Sequence, residues 1–276
     1  MTANTDKIVV REFGKEWGRF DQSALSDREL GEMFDDYFHI FPWQSLPEHA
    51  VGFDLGCGSG RWAKLVAPRV GTLHCIDASD EALAVARRNL SACDNCVFHL
   101  ATVEQIPLAD QAADFAYCLG VLHHVPDTAA GLRSCASKLK PGAPFLVYLY
   151  FAFENKPHWY GAIWKTSEKL RFLISRAPFP IKVLAANLIA VLVYWPLARI
   201  ALCVEKAGKD PDSVPLAYYR HRSLYVMRTD ALDRFGTRLE KRFTRRAMES
   251  MLGDAGFERI QFSARRPYWC AVCYRK

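Results

Sequence analysis

A carboxylate followed by three closely spaced glycines, Asp54-Leu55-Gly56-Cys57-Gly58-Ser59-Gly60, is the strongest chemical signal in the sequence. Glycines at that spacing allow a tight turn and let a ligand approach the backbone closely. Asp77 follows 17 residues after Gly60. At the end of the next apolar run, a carboxylate lies where ribose hydroxyls are bound in nucleotide-binding α/β folds. The dinucleotide fingerprint also needs a small residue in its sixth place, to let a helix pack under a pyrophosphate. Counting from Gly56, that place is Arg61. A ligand with ribose and adenine but no pyrophosphate therefore fits better. A second candidate centre is the pair His123-His124, since imidazole titrates near neutral pH and suits general-base work. One histidine packing while the other caps a turn is the plainer alternative. Tyr148 and Tyr150 share one face of a strand, where lining an acceptor site and simple packing both stay open.

These residues need a scaffold, and the apolar pattern supplies one. Val51–Leu55 reads as a buried strand, Arg61–Ala67 as a helix, Thr72–Ile76 as a second strand ended by Asp77, and 80–90 as a helix with Ser79 as its N-cap. Strands follow at Cys96–Leu100, Asp114–Leu119 and Phe145–Phe151, with a helix over 128–139. Strands alternating with helices make βαβ units and a mostly parallel sheet covered on both faces. The alternation resumes with a helix over 244–254 and strands at 259–263 and 268–274. Four residues between those last two strands cannot make a parallel crossover, so the pair must be an antiparallel hairpin. The fold class expected is α/β: a Rossmann-like, seven-stranded, mostly parallel sheet with an antiparallel C-terminal hairpin and a helical lid insertion. Two glycine-centred and histidine-centred sites then fall together on the carboxyl edge of the sheet, where open α/β sheets bind ligands.

The chain resembles the class I S-adenosylmethionine-dependent methyltransferases of small-molecule type. Residues 51–60 match that family's first motif, Asp77 its ribose-binding acid, and 101–108 its adenine-side loop. Residues 114–125 match its fourth strand and following turn, and Leu139-Lys140-Pro141-Gly142 the helix end before strand five. The resemblance implies S-adenosylmethionine as cofactor, held by Asp54, Gly56, Cys57, Gly58, Gly60, Asp77, Ala78, Thr102, Val103, Glu104 and Leu119. One departure is Thr102, where family members often carry an acid toward the adenine amino group; a hydroxyl accepts the same bond more weakly. The chemistry implied is in-line displacement at the sulfonium methyl, with His123, His124 and Tyr150 as catalytic candidates. The acceptor expected is a small molecule, reached at oxygen or nitrogen, with a glycan or lipid-linked sugar among the options. A non-catalytic partner subunit and an RNA methyltransferase are the rival readings.

Domain organisation follows. Residues 1–50 form a helical lead-in over the cofactor site, in which Trp17 is a candidate substrate contact. Residues 51–151 and 244–276 form the cofactor-binding core, and 152–243 an inserted substrate lid. The insertion carries Trp159, Tyr160, Trp164, Phe172, Tyr194 and Trp195, then a polar cluster in which Tyr219, Arg220 and Arg222, with Tyr148 of the core, are candidate substrate contacts. Its run from Val183 to Ala198 is apolar apart from Asn187, and sixteen residues is short for a membrane span of about 20. A buried lid helix, peripheral contact with a membrane and a dimer interface all suit it, so the chain is expected to be a monomer or homodimer.

Net charge is +6, which permits an anionic partner without demanding one. The basic stretch from Arg234 to Arg246 could meet phosphates, but few aromatic residues accompany it and no nucleic-acid partner is expected. Nine cysteines, odd in number, with a charged N-terminal segment that has no signal-peptide core, point to reduced thiols and a cytoplasmic setting. No metal site is expected, because Cys270 and Cys273 are three apart on a strand and point to opposite faces.

Overall fold

The computed structural model describes residues 4–154 and 158–276, without the side chains of residues 158–160 and 162. The side chains of Trp159 and Tyr160 of the expected lid thus lie outside what the structure describes. The described residues divide into two compact units, one of 4–23, 30–154 and 239–276 and a second of 24–29 and 158–238. The short segments 152–154 and 239–243 go with the first unit. Phe151 bridges Phe243, and Ala152 N–H donates to Phe243 O at 2.9 Å.

The first unit holds a seven-stranded sheet: β1 (Val51–Leu55), β2 (Thr72–Asp77), β3 (Cys96–Leu100), β4 (Phe115–Leu119), β5 (Pro144–Tyr148), β6 (Phe257–Phe262) and β7 (Cys270–Arg275). Their order is β3-β2-β1-β4-β5-β7-β6. The pairs among β1 to β5 are parallel, while β7 runs antiparallel to both β5 and β6. Strands β4 and β5 are buried along nearly their whole length, as strands covered on both faces must be. Phe53, Tyr117, Phe145 and Phe257 fill the interior with almost no exposed surface.

Helices α1 (Lys7–Arg19), α2 (Asp27–Phe38), α3 (Ala63–Val66), α4 (Asp80–Asn89) and α5 (Thr128–Lys138) precede the insertion, and α10 (Arg245–Asp254) follows it. Ser79, Asp127 and Thr244 each cap their helix by accepting a backbone N–H. The helix expected over 61–67 is shorter than its pattern suggests. Pro68 lacks the N–H that an α turn would use, and a 3-10 turn, Ala67–Arg69, takes over.

The second unit is helical: α6 (His158–Ile174), α7 (Phe179–Ile189), α8 (Trp195–Lys206) and α9 (Leu224–Gly236). A π turn, Ala190–Tyr194, joins α7 to α8. The result is one helix from Phe179 to Lys206, 28 residues, long and apolar enough by length and composition to cross a membrane. The apolar run in the sequence understates it because Pro196 reads as a break. Here Pro196 falls just after the π turn, where the α ladder is already interrupted.

Candidate functional site

The strand order reverses direction at β1, whose neighbours are β2 on one side and β4 on the other. Ligand crevices open at such points, beyond the carboxyl ends of the strands. Gly56, Gly58 and Gly60 all lie in the left-handed region, at φ 78, 53 and 76°, which side chains rarely tolerate. A Cβ on Gly56 would sit 2.3 Å from Val121 Cγ2, and one on Gly58 2.7 Å from the Trp17 ring. The N–H groups of Gly56 and Cys57 both donate to Ile76 O, at 2.7 and 3.0 Å, which stitches the loop to the end of β2.

Asp77 is fixed in the same network. Its Oδ2 accepts from Gly58 N–H and its Oδ1 from Ser79 N–H, both at 2.9 Å. Burial raises its pKa, against those N–H donors that lower it. Beneath the loop, Asp54 is 1 % exposed. Its pKa is pushed up to about 8, chiefly by burial and further by the charge of Asp77, against the nearby Tyr117 hydroxyl. Cys57 shares a hydrogen bond with Cys75, yet burial and the two carboxylates push its thiol up to about 11. This thiol is no nucleophile near neutral pH.

Above the loop lies a cleft of about 770 Å³ including its mouth, walled by Leu55, Gly56, Asp77, Ala78, Ala101, Val103, Leu119, Gly120, Val121, His124 and Val125 from the sheet edge. The opposite wall is the N-terminal segment, through Thr5, Asp6, Val9, Val10, Phe13 and Trp17. Asn4 clasps that segment in place. Its N–H donates to Glu104 Oε2 at 2.6 Å, its side-chain amide donates to Asp127 O at 2.7 Å, and its Oδ1 accepts from Asp127 N–H at 2.6 Å.

The two histidines follow β4 on a 3-10 turn, Leu122–His124, and separate in role. His124 reaches the cleft. Its Nδ1 lies 2.6 Å from Leu239 O. A carbonyl can only accept, so Nδ1 carries the proton and the lone pair sits on Nε2. His123 is fully buried behind it, stacked on Tyr150 at 3.8 Å between ring centroids. Burial, then His124 and Arg242, hold its imidazole well below the usual histidine range. Segment 239–243 braces this turn: Lys241 N–H donates to His123 O at 3.0 Å and its ammonium to Pro126 O.

Residues 53–147 match the family described as "Methyltransferase domain". These residues form a methyltransferase domain. The chain is 33 % identical over 160 residues to the ubiquinone biosynthesis O-methyltransferase of Sodalis glossinidius, a match covering 54 % of this chain and 63 % of the relative. Over 113 residues it is 34 % identical to the protein of the same description from Nitrosomonas europaea, covering 40 % and 46 %. The chain thus spans less than two thirds of the length of these curated relatives. Two solved structures share the fold at TM-score 0.51. One is a candidate methyltransferase from Bacillus halodurans, at 16 % identity over 85 % of this chain and 70 % of that one. The other is a Haloferax volcanii candidate methyltransferase in complex with the Trm112 methyltransferase activator, at 15 % identity over 96 % of each.

The methyltransferase domain fits S-adenosylmethionine at three points. Glycine backbone stands where any Cβ would intrude, the Asp77 carboxylate faces the cleft, and a hydroxyl awaits a partner beside it. That hydroxyl is Thr102 Oγ1, which is buried without a hydrogen-bond partner among the described residues and sits between the cleft-lining Ala101 and Val103.

The sequence-derived candidates sort by place. Gly56, Asp77, Ala78, Val103, Leu119, Trp17 and His124 all meet in the cleft. Asp54, Cys57, Gly58 and Gly60 build the loop beneath it. Glu104 is engaged by Asn4 instead. The other candidates lie elsewhere. His123 and Tyr150 stack on each other and do not line the cleft, His123 fully buried and Tyr150 half-buried. Tyr148 packs edge-on against Tyr37 at 5.3 Å. Tyr219, Arg220 and Arg222 are internal ties of the second unit. Tyr219 donates to Asp230 Oδ2 at 2.9 Å, Arg220 pairs with Glu205 at 2.8 Å, and Arg222 lies over the Tyr218 ring. The basic stretch is likewise engaged, with Arg234 on Glu168, Arg242 on Glu240 and Arg245 on Glu249. Sequence reasoning missed Val9 and Asn4. The spacing of Val9, Phe13 and Trp17, four apart on one helix face, could have found the first, whereas no pattern marks an isolated clasp such as Asn4.

Proposed function

We propose that the chain transfers a methyl group from S-adenosylmethionine to a hydroxyl oxygen of a small-molecule acceptor, with His124 as the base. Bound S-adenosylmethionine supplies a methyl group already activated by its positive sulfur. The chain's own residues do the rest. Asp77 and the glycine loop hold the nucleoside, and α1 shuts water out of one side. His124 Nε2 takes the acceptor's proton as the new O–C bond forms and the C–S bond breaks, leaving S-adenosylhomocysteine.

The observation that carries this reading is one cleft with Asp77 on one side and an imidazole of fixed tautomer on the other. A hydroxyl needs such a base more than an amine does, and the relatives above are described as O-methyltransferases. The test is calorimetry with S-adenosylmethionine and S-adenosylhomocysteine, followed by S-adenosylhomocysteine release with a panel of hydroxylated acceptors, sugars and lipid-linked sugars first. Asp77→Ala should lose cofactor binding. His124→Gln should bind cofactor normally and lower kcat by about 100-fold or more. No cofactor binding by the folded wild type would overturn the proposal.

A further inference from the structure

Helix Phe179–Lys206 of the second unit is built inside out. Its inward stripe is Lys182, Ala186, Ala190, Tyr194, Ala198 and Ala201, mostly small residues with one buried ammonium. Polar ties hold that stripe: Lys182 Nζ donates to Gly236 O at 2.9 Å, Arg228 Nε to Asn187 Oδ1 at 2.6 Å, and Arg199 to Arg220 O at 2.9 Å. A step of four residues overshoots an α turn by about 40°, so such a stripe would drift around a regular helix. The π turn has more residues per turn and brings it back. The outward face carries Ile181, Leu184, Leu188, Val191, Leu192 and Trp195, each 46–68 % exposed. Helix α6 adds Leu170 and Leu173. Only 22 % of the most apolar stretch is buried. Soluble surfaces rarely leave so continuous an apolar strip open to water.

Charge identifies what covers it. Between residues 158 and 206 there are seven lysines and arginines (Lys165, Lys169, Arg171, Arg176, Lys182, Arg199, Lys206) against two acids, Glu168 and Glu205. Lys165, Lys169 and Arg176 are exposed on or next to α6. Two copies packed face to face would bring these cations together, which opposes self-association. An anionic surface would neutralise them. A spanning orientation suits the helix poorly, because its other face is bound through Lys182, Asn187 and Arg199 to polar parts of the chain. We propose that the outward face of helix 179–206, with α6 beside it, docks on an anionic lipid bilayer and lies in the plane of the interface.

The proposal stands apart from the methyl-transfer reading, and its test reads both. The full chain is floated with vesicles of phosphatidylcholine alone or with 30 mol % (roughly a plasma-leaflet-like anionic fraction) phosphatidylglycerol, at low and high salt. Binding is expected to the anionic vesicles and to weaken with salt. Leu184→Gln with Leu188→Gln and Leu192→Gln should lower it at least about tenfold, while calorimetric binding of S-adenosylmethionine and the circular dichroism spectrum stay unchanged. Lys165→Gln with Lys169→Gln should reduce the preference for anionic vesicles and leave folding intact. Absence of vesicle binding by the wild type, equal binding by the leucine variant, or resistance to carbonate extraction would overturn the proposal. A concentration-dependent dimer that the leucine variant dissolves, without vesicle binding, would assign the face to a second copy instead.

Discussion

The sheet of the first unit and the long helix of the second bury opposite kinds of residue. In the sheet unit large side chains such as Phe53, Tyr117 and Phe145 are fully buried, with Asp54 among them beneath the cleft loop. In helix 179–206 the buried stripe is alanine, one tyrosine and one lysine, and Leu184, Leu188 and Leu192 face outward, while the large buried side chains of that unit, Met227, Leu232 and Phe235, come from α9. The interior around the sheet is held by apolar area, at roughly 25 cal/mol per Å². The inward stripe of the long helix adds close backbone approach and hydrogen bonds, each with a net worth of about 1 kcal/mol. A site that must fix a cofactor to fractions of an ångström needs the first kind of interior. An element that presents apolar surface can manage with the second.

Substitutions can break this contrast. The largest effect is expected at Gly56→Val, where φ is 78° and a Cβ already meets Val121 at 2.3 Å. Cofactor affinity should fall more than about 100-fold and stability by about 3 kcal/mol, read by calorimetry and thermal unfolding. Next, Phe53→Ala should cost about 3–5 kcal/mol in denaturant unfolding, because its ring is wholly enclosed. Lys182→Met keeps the aliphatic stem but leaves Gly236 O without its donor, and about 1–3 kcal/mol should be lost. Smallest of all, Leu188→Gln, half exposed, should stay within about 0.5 kcal/mol of the parent. If Leu188→Gln proved as damaging as Phe53→Ala, the outward face would be an interior, and the contrast would fail.

Acid and alkali sharpen the picture within the sheet unit. Asp54 keeps its proton in the fold up to about pH 8 but loses it near 3.8 when unfolded. The fold then binds the extra proton, so stability falls as pH rises through that window. His123 works in the other direction. Its folded pKa lies well below 6.5, the unfolded chain binds the extra proton, and stability is lost as pH drops below about 6.5. Thermal unfolding should therefore weaken on both sides of a maximum, Asp54→Asn flattening the alkaline limb and His123→Gln the acid one.

The sheet was legible because strand and helix periods differ and the connections forbid alternatives. The four-residue link between Ser263 and Tyr268 allowed only an antiparallel pair, and β6 and β7 are one. The cofactor loop was legible because left-handed backbone leaves its mark as glycine. What stayed hidden depends on distant neighbours. Nothing in Arg220 tells that Glu205 will meet it, and an arginine with tyrosines reads alike as a substrate clamp or a structural tie. His123 and His124 are equivalent in sequence, and one step along a 3-10 turn sends only the second to the cleft. The helical run of 179–206 was underestimated because proline reads as an end unless a π turn precedes it.

That π turn also constrains how the segment can change length. Deleting one residue from 190–194 would let an unbroken α-helix form, a locally better-bonded backbone. Side chains beyond the deletion would then keep nearly their present angular positions, because five residues of a π turn sweep about the angle of four in an α-helix. The turn carries a single surplus residue, so a deletion within 190–194 should be tolerated far better than one within 183–189, where every later side chain would swing by about 100°.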